Sequence, residues 1–183
     1  MALQSTRHRG FSLVELILVV TIIGIISFIA VPRLSRRARA AGGEALKMDL
    51  ALLQHAVELY VVEHEGKPPD ENVAEQLTGY SNNTGTTLSD TKDVGAGIVY
   101  GPYLKDVPVM PAGSKKGASR ICHTDDPDDL PECGGADHAW WYNSALQVIR
   151  PNLPEEDLDD EDKPYNRYGS GGTDTANEEP TTP

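Results

Sequence analysis

Residues 7–34 read RHRGFSLVELILVVTIIGIISFIAVPRL. From Phe11 to Val31 only Ser12, Glu15, Thr21 and Ser27 are clearly polar among 21 residues. As a helix the run is about 31 Å long, the thickness of a bilayer's hydrocarbon core. Glu15 is the anomaly. A carboxylate inside a membrane helix costs roughly 2.5–3.5 kcal/mol on insertion scales, so its retention asks for a partner. A cleaved secretory signal is the competing reading. It wants a shorter apolar run and a small-residue cleavage site, which "SFIAVPRL" does not supply. The run reads as a retained single membrane helix.

Charge around it is uneven. Arg7 and Arg9 precede the run, but Arg33, Arg36, Arg37 and Arg39 follow it, so the positive-inside rule alone points the wrong way for a secreted head. Cys122 and Cys133, the only two cysteines, point to an oxidising compartment and a disulfide across a short loop. The formal net charge is −12, and residues 122–183 hold 16 of the 28 acidic side chains against 3 basic ones. An acidic surface without a basic, aromatic-interleaved patch argues against a nucleic-acid partner.

The helical pattern continues past Pro32, which should kink or loosen the helix where lipid ends. Leu34, Ala38, Ala41, Ala45, Met48, Leu52, Ala56 and Leu59 recur at spacings of three and four, the signature of one apolar stripe facing a core. Gly66, with Pro68 and Pro69 behind it, marks the stop. One helix from Phe11 to Glu65 is the expectation, greasy all round in its first half and amphipathic in its second. His55 and His64 then fall on its solvated side with Glu58.

Beyond it the spacing predicts a short helix from Glu71 to Thr78 with Asp70 as N-cap and Gly79 as stop. Residues 80–95 read as loop. Strand character follows in GIVYGPYL (97–104), AWWYN (139–143) and LQVIR (146–150), the last two close enough for a hairpin. Trp140 and Trp141 are adjacent and so point to opposite faces of a strand, one into the core. Past Leu153 the acidic run has little to bury and is expected to be disordered.

The basic leader, then G-FSLVEL, then an apolar run ending in AVP, resembles the signal of type IV pilins and type II secretion pseudopilins. The segments GPYLKDVPVMP (101–111) and WWYNSALQVIRPN (140–152) are similar to parts of the major pseudopilin, more loosely. The resemblance implies a pilin-like α+β fold, a long N-terminal helix packed on a small antiparallel sheet. It implies cleavage by a prepilin peptidase between Gly10 and Phe11, N-methylation of Phe11, and a role in assembly for Glu15. The division of the chain is then leader 1–10, membrane and assembly helix 11–31, amphipathic half 32–65, small head 66–153 and acidic disordered tail 154–183.

Cleavage before Phe11 would create an amine, largely protonated below its usual pKa of about 7.7–8.0. Glu15 could pair with that amine in a neighbouring subunit. Because Phe11 and Glu15 are four apart, it could also pair within its own chain. The implied partners are further copies of the chain in a helical filament, the prepilin peptidase, and inner-membrane secretion or pilus machinery, with the head in the periplasm. One departure bears on cofactors: major pseudopilins carry a calcium loop after a Pro-Trp-Gly element, whereas Pro111 here precedes AGSKKGA. Asp125, Asp126, Asp128, Asp129 and Asp137 could still take calcium through carboxylate oxygens, but without EF-hand spacing a solvated acidic loop is the plainer reading. Zinc on the cysteines with His123 and His138 lacks chelate spacing. No cofactor is required.

No phosphate loop, metalloprotease signature or nucleophile elbow is present, so an enzyme is not indicated. The leading reading is a pseudopilin subunit. The alternatives are a type IV pilus subunit for adhesion or motility, and a signal-anchored periplasmic binding module that neither is cut after Gly10 nor self-assembles.

Overall fold

The computed structural model describes residues 12–129 and 133–169. The expected cleavage and methylation position at Gly10 and Phe11 lies outside the described residues, as do 170–183. Helix α1 runs Leu13–Glu63, continuous in its secondary structure through position 32. The chain forms two compact units, one ending at Ala38 and one starting at Arg39, each holding part of this helix.

In the first unit the side chains from Leu13 to Val31 are exposed. Thr21 turns back onto the helix, its hydroxyl donating to the Ile17 carbonyl at 2.7 Å. This satisfies the hydroxyl locally and lets a threonine sit in an apolar helix.

In the second unit α1 buries a face other than the one its sequence suggested. Leu46, Leu50, Leu53, Val57 and Tyr60 are buried, again at spacings of three and four, and His64, just past the helix end, continues the spacing. Of the stripe read from the sequence, Ala56 is buried but Met48, Leu52 and Leu59 are exposed, at 74 %, 48 % and 39 %. The helix thus carries two apolar stripes. Residues 50 and 52 stand about 200° apart around an α-helix, so the stripes face opposite ways. Periodicity identifies a helix; only the packing partner decides which stripe is core.

That partner is the rest of the head. Helix α2 spans Val73–Thr78, beginning two residues later than expected, after Asn72 rather than Asp70. Asp70 accepts the Asn72 N–H at 2.9 Å and so braces the approach to the helix without capping it. Residues 80–95 contain a two-residue ladder, β1 (Tyr80–Ser81) against β2 (Leu88–Ser89). The expected strand at 97–104 is not formed. Gly97 and Gly101 adopt φ of +74° and +79°, which break extended backbone, and only single bridges link Ile98 to Asp93 and Tyr100 to Ser81.

The main sheet has three strands: β3 (Arg120–Thr124), β4 (His138–Asn143) and β5 (Val148–Pro151). The expected hairpin is β4–β5, with Trp140 opposite Pro151 and Asn143 opposite Val148. The sheet is mixed rather than antiparallel, because β3 pairs parallel with β4. Trp140 and Tyr142 point into the core with Leu46, Leu53, Val57, Leu77 and Met110. Trp140 also donates its indole N–H to the Pro108 carbonyl at 2.8 Å, so this large side chain leaves no buried donor unpaired. Gln54 fastens α1 to the start of β5, donating to the Gln147 carbonyl at 3.1 Å and accepting from the Ile149 N–H at 3.3 Å.

Residues 154–169 correct the expectation of a disordered tail. They fold back onto the head, ending in a 3₁₀ turn at Tyr165–Arg167. Tyr165 is 2 % exposed and its hydroxyl reaches the Arg39 carbonyl at 3.3 Å. Tyr168 donates to the Asp159 carboxylate and lies under the Lys47 ammonium, 5.3 Å from its ring centroid. Two adjacent glycines inside α1 allow close packing, Gly42 against the 111–112 segment and Gly43 against this fold-back. A Cβ on Gly42 would lie 3.0 Å from Ala112 Cβ, and one on Gly43 would lie 3.4 Å from the Tyr168 hydroxyl. Mid-helix glycine costs roughly 0.5–1 kcal/mol against alanine, offset here by close packing. The acidic run hid two tyrosine anchors.

Candidate functional site

Two kinds of surface bear on function: the exposed faces of α1 and the polar clusters of the head. Glu15 lies in the first turn of α1, exposed among Leu13, Leu16 and Ile17. The first half of α1 is long and apolar enough to cross a membrane. Arg33, Arg36, Arg37 and Arg39 follow, all exposed. Further on, in the second unit, comes the outer stripe of Met48, Leu52, Leu59 and Val62. A row of large exposed apolar side chains is the kind of surface that serves as a contact face.

In the head, Cys122 and Cys133 are joined by a disulfide with Cα atoms 6.3 Å apart. Cys122 is not in a loop; it lies on β3, opposite Trp141 in the parallel register. That bridge fastens residue 133 over the sheet face away from α1, and Trp141 on that face is 2 % exposed. Asn152 completes the attachment, accepting from the Cys133 N–H at 3.3 Å and donating to the Cys133 and His138 carbonyls at 3.1 and 2.9 Å.

Of the histidines named for zinc, His123 is hydrogen-bonded elsewhere and His138 Nδ1 is buried without a hydrogen-bond partner. His123 meets the Ser144 hydroxyl at 2.9 Å, and His138 Nδ1 lies 3.5 Å from Asp137. Asp137 in turn pairs with Arg120 at 2.8 Å, which holds its carboxyl below the usual range. Asp126 and Asp129 accept from the Asp128 N–H and the Thr124 hydroxyl, closing local turns. Among the described residues no group of three His, Cys, Asp or Glu side chains converges to hold a metal ion.

His64 was expected on a solvated face, yet it is fully buried. Its ring stacks on Tyr60 at 3.8 Å between centroids. Nδ1 donates to the Tyr60 carbonyl and Nε2 accepts from the Ser81 hydroxyl, both at 2.8 Å. The arrangement ties the end of α1 to β1, and burial pushes the Tyr60 phenol up to about 12. Its sequence signal was the spacing: His64 follows Val57 and Tyr60 at seven and four residues. The neighbouring Tyr103 hydroxyl donates to Glu63 at 2.6 Å, a second tie at the same helix end. These are structural networks that fasten the end of α1 to β1 and to Tyr103.

Comparison with known proteins turns on the same N-terminal region. Residues 5–31 match the prokaryotic N-terminal methylation motif. The chain is 31 % identical over 77 residues to competence protein ComGC of Halalkalibacterium halodurans, covering 74 % of that protein and 42 % of this chain. The chain belongs to the type IV pilin-like superfamily, which includes the type II secretion pseudopilins. It is also 27 % identical over 112 residues to type II secretion system core protein G of Pseudomonas aeruginosa, covering 73 % of that protein and 61 % of this chain. The counterpart from Aeromonas hydrophila is 26 % identical over the same shares of each chain. No solved structure matches significantly. The long N-terminal helix and small sheets are consistent with a pilin-like fold, and the matched residues 5–31 include Gly10, Phe11 and Glu15.

Proposed function

We propose that the chain is a structural filament subunit, a pseudopilin of a type II secretion-like system. One observation carries the reading: a methylation motif opens directly into an exposed apolar run, residues 13–31 of α1, whose single acidic residue is Glu15. The helix anchors the subunit in the inner membrane as a single span, with the head in the periplasm, where the Cys122–Cys133 disulfide is chemically at home. Prepilin peptidase cuts after Gly10, and Phe11 becomes the methylated N-terminus.

Assembly is then an exchange of solvents. Each apolar helix leaves lipid and packs against the same helix of its neighbours, so little hydrophobic burial is lost. The Glu15 carboxylate is tolerated only where a cation meets it, and the amine of Phe11 in the adjacent copy is that cation. The charge therefore fixes register as well as compensating burial. The role is mechanical, with no chemistry asked of the head. Glu15→Ala, processed and inserted as wild type, should give far fewer filaments by electron microscopy; wild-type yield would contradict the pairing.

The similarity to a competence protein favours one second reading, a pilus-type fibre built by the same physics for another purpose. Fibre length separates the two: long surface fibres under native expression support the pilus, short periplasmic ones the pseudopilus.

A further inference from the structure

The apolar run of α1 ends at Val31, and three arginines follow at once: Arg33, Arg36 and Arg37, all exposed. They lie between the run and an exported head, where the positive-inside rule disfavours cations. None of the three enters an ion pair among the described residues. Something outside the chain must favour them there.

Spacing and depth point to what it is. Positions 33, 36 and 37 stand three and four apart, so they share one face of the helix, an arc of about 100°. Ile22, Ile26 and Ile29 precede them on the same arc, again at intervals of four and three, and all are exposed. The run is apolar all round, but this face alone passes directly into guanidinium groups; the other two positions between 33 and 37 are Leu34 and Ser35. Depth agrees with this. At 1.5 Å per residue, positions 33–37 lie about 3–9 Å beyond Val31. A headgroup layer of roughly 5–8 Å flanks each side of a hydrocarbon core about 30 Å thick. A run that fills the core therefore sets the arginines at the level of lipid phosphates, with their methylene stems against acyl chains. All three cations are arginine, whose planar fork of donors matches a phosphate and is more weakly hydrated than an ammonium.

We propose that this face docks an anionic phospholipid in the leaflet at the C-terminal end of the run. Its acyl chain lies along Ile22, Ile26 and Ile29, and its phosphate sits among Arg33, Arg36 and Arg37. The inference rests on the membrane-span part of the reading above and not on filament assembly. Net charge selects the lipid: a zwitterionic headgroup brings its own cation, whereas an anionic one leaves the guanidinium groups as its counter-charge. The bound lipid offsets the cost of placing arginines on the exported side and holds the unassembled subunit at a fixed depth.

The test is native mass spectrometry of the full unprocessed chain, released from detergent micelles that contain equal amounts of phosphatidylglycerol and phosphatidylcholine. Arg7 and Arg9 are common to every variant. Wild type should carry phosphatidylglycerol in about fivefold preference, the selectivity of one basic side chain at an anionic surface. The triple variant Arg33→Gln, Arg36→Gln, Arg37→Gln should bring the ratio close to one, with helix content unchanged by circular dichroism. A wild-type chain without preference would overturn the proposal. So would a triple variant that keeps the wild-type ratio, and if that variant also loses filaments, the arginines belong to a contact with a neighbouring copy. Loss of the preference on adding inorganic phosphate, but not chloride of equal ionic strength, would also overturn it and assign the arginines to free phosphate. Release of the wild-type chain from membranes by alkaline carbonate would instead overturn the membrane-span reading, and the docking with it.

Discussion

Leu52 and Leu53 are adjacent in sequence and opposite in fate, which makes them the sharpest probe of how α1 is used. Leu53 is 0 % exposed against the core, while Leu52 sits on the outer stripe. Truncating a fully buried leucine to alanine removes its transfer energy and leaves a cavity, about 3 kcal/mol within a range of roughly 2–5. At a urea dependence of about 2 kcal/mol per molar, Leu53→Ala should lower the unfolding midpoint by about 1.5 M. Leu52→Ala removes a half-exposed side chain and should stay within about 0.5 kcal/mol, or roughly 0.25 M. The assay is equilibrium unfolding of a soluble head spanning 39–169, followed by fluorescence of the buried Trp140 and Trp141. In full-length protein the order should reverse, with Leu52→Ala impairing filament yield more than the midpoint shift explains. Equal midpoint shifts for the two variants would refute the assignment of inner and outer stripes.

Two further expectations concern the head. The Cys122–Cys133 bridge closes a loop of sequence separation 11, for which the chain-entropy estimate is about 3 kcal/mol. The paired Cys→Ser variant should therefore unfold about 1.5 M urea earlier, and a shift under about 0.5 M would contradict the estimate. Asp159 concerns the fold-back segment: burial alone would raise its carboxyl, but hydrogen bonds from Tyr168 and from the Lys163 and Glu161 N–H groups outweigh this and hold it below the usual range. A carboxyl lowered in the folded state stabilises above its unfolded pKa, and that stability is lost as pH falls through the folded one. Asp159→Asn should accordingly show a smaller drop in urea midpoint between about pH 6 and about pH 3 than wild type does, whereas equal drops would contradict the role.

Much of this molecule is legible in its sequence where local physics decides. The long helix, its stop near Gly66 and the β4–β5 hairpin follow from periodicity, a left-handed glycine and paired β-rich runs. What was not legible depends on partners distant in sequence. Two stripes of equal period compete on α1, and the choice between them rests on what β4, α2 and Met110 present. Strand β3 is short, carries arginine, cysteine and histidine, and becomes a strand because β4 offers a parallel edge and a disulfide holds its outer face. The fold-back at 154–169 was masked by its charge, although Tyr165 and Tyr168 supply the anchors. His64 was misplaced for the same reason: a polar residue at a buried helical position is stable when stacking and two hydrogen bonds await it. For the candidate site, Glu15 and the methylation motif are local in sequence and could be read directly; the outer stripe was legible as a stripe, but that it faces outward became visible only once the inner one was covered.

The central claim is that this chain is processed as a pilin-like subunit, and the direct measurement is the intact mass and N-terminal sequence of the protein made beside a prepilin peptidase. A chain beginning at N-methylated Phe11 is the result predicted here, and it makes Glu15 the first acidic residue of an assembling helix. An uncut chain beginning at Met1 under the same conditions would contradict the account, leaving a membrane-anchored head without the amine that Glu15 requires.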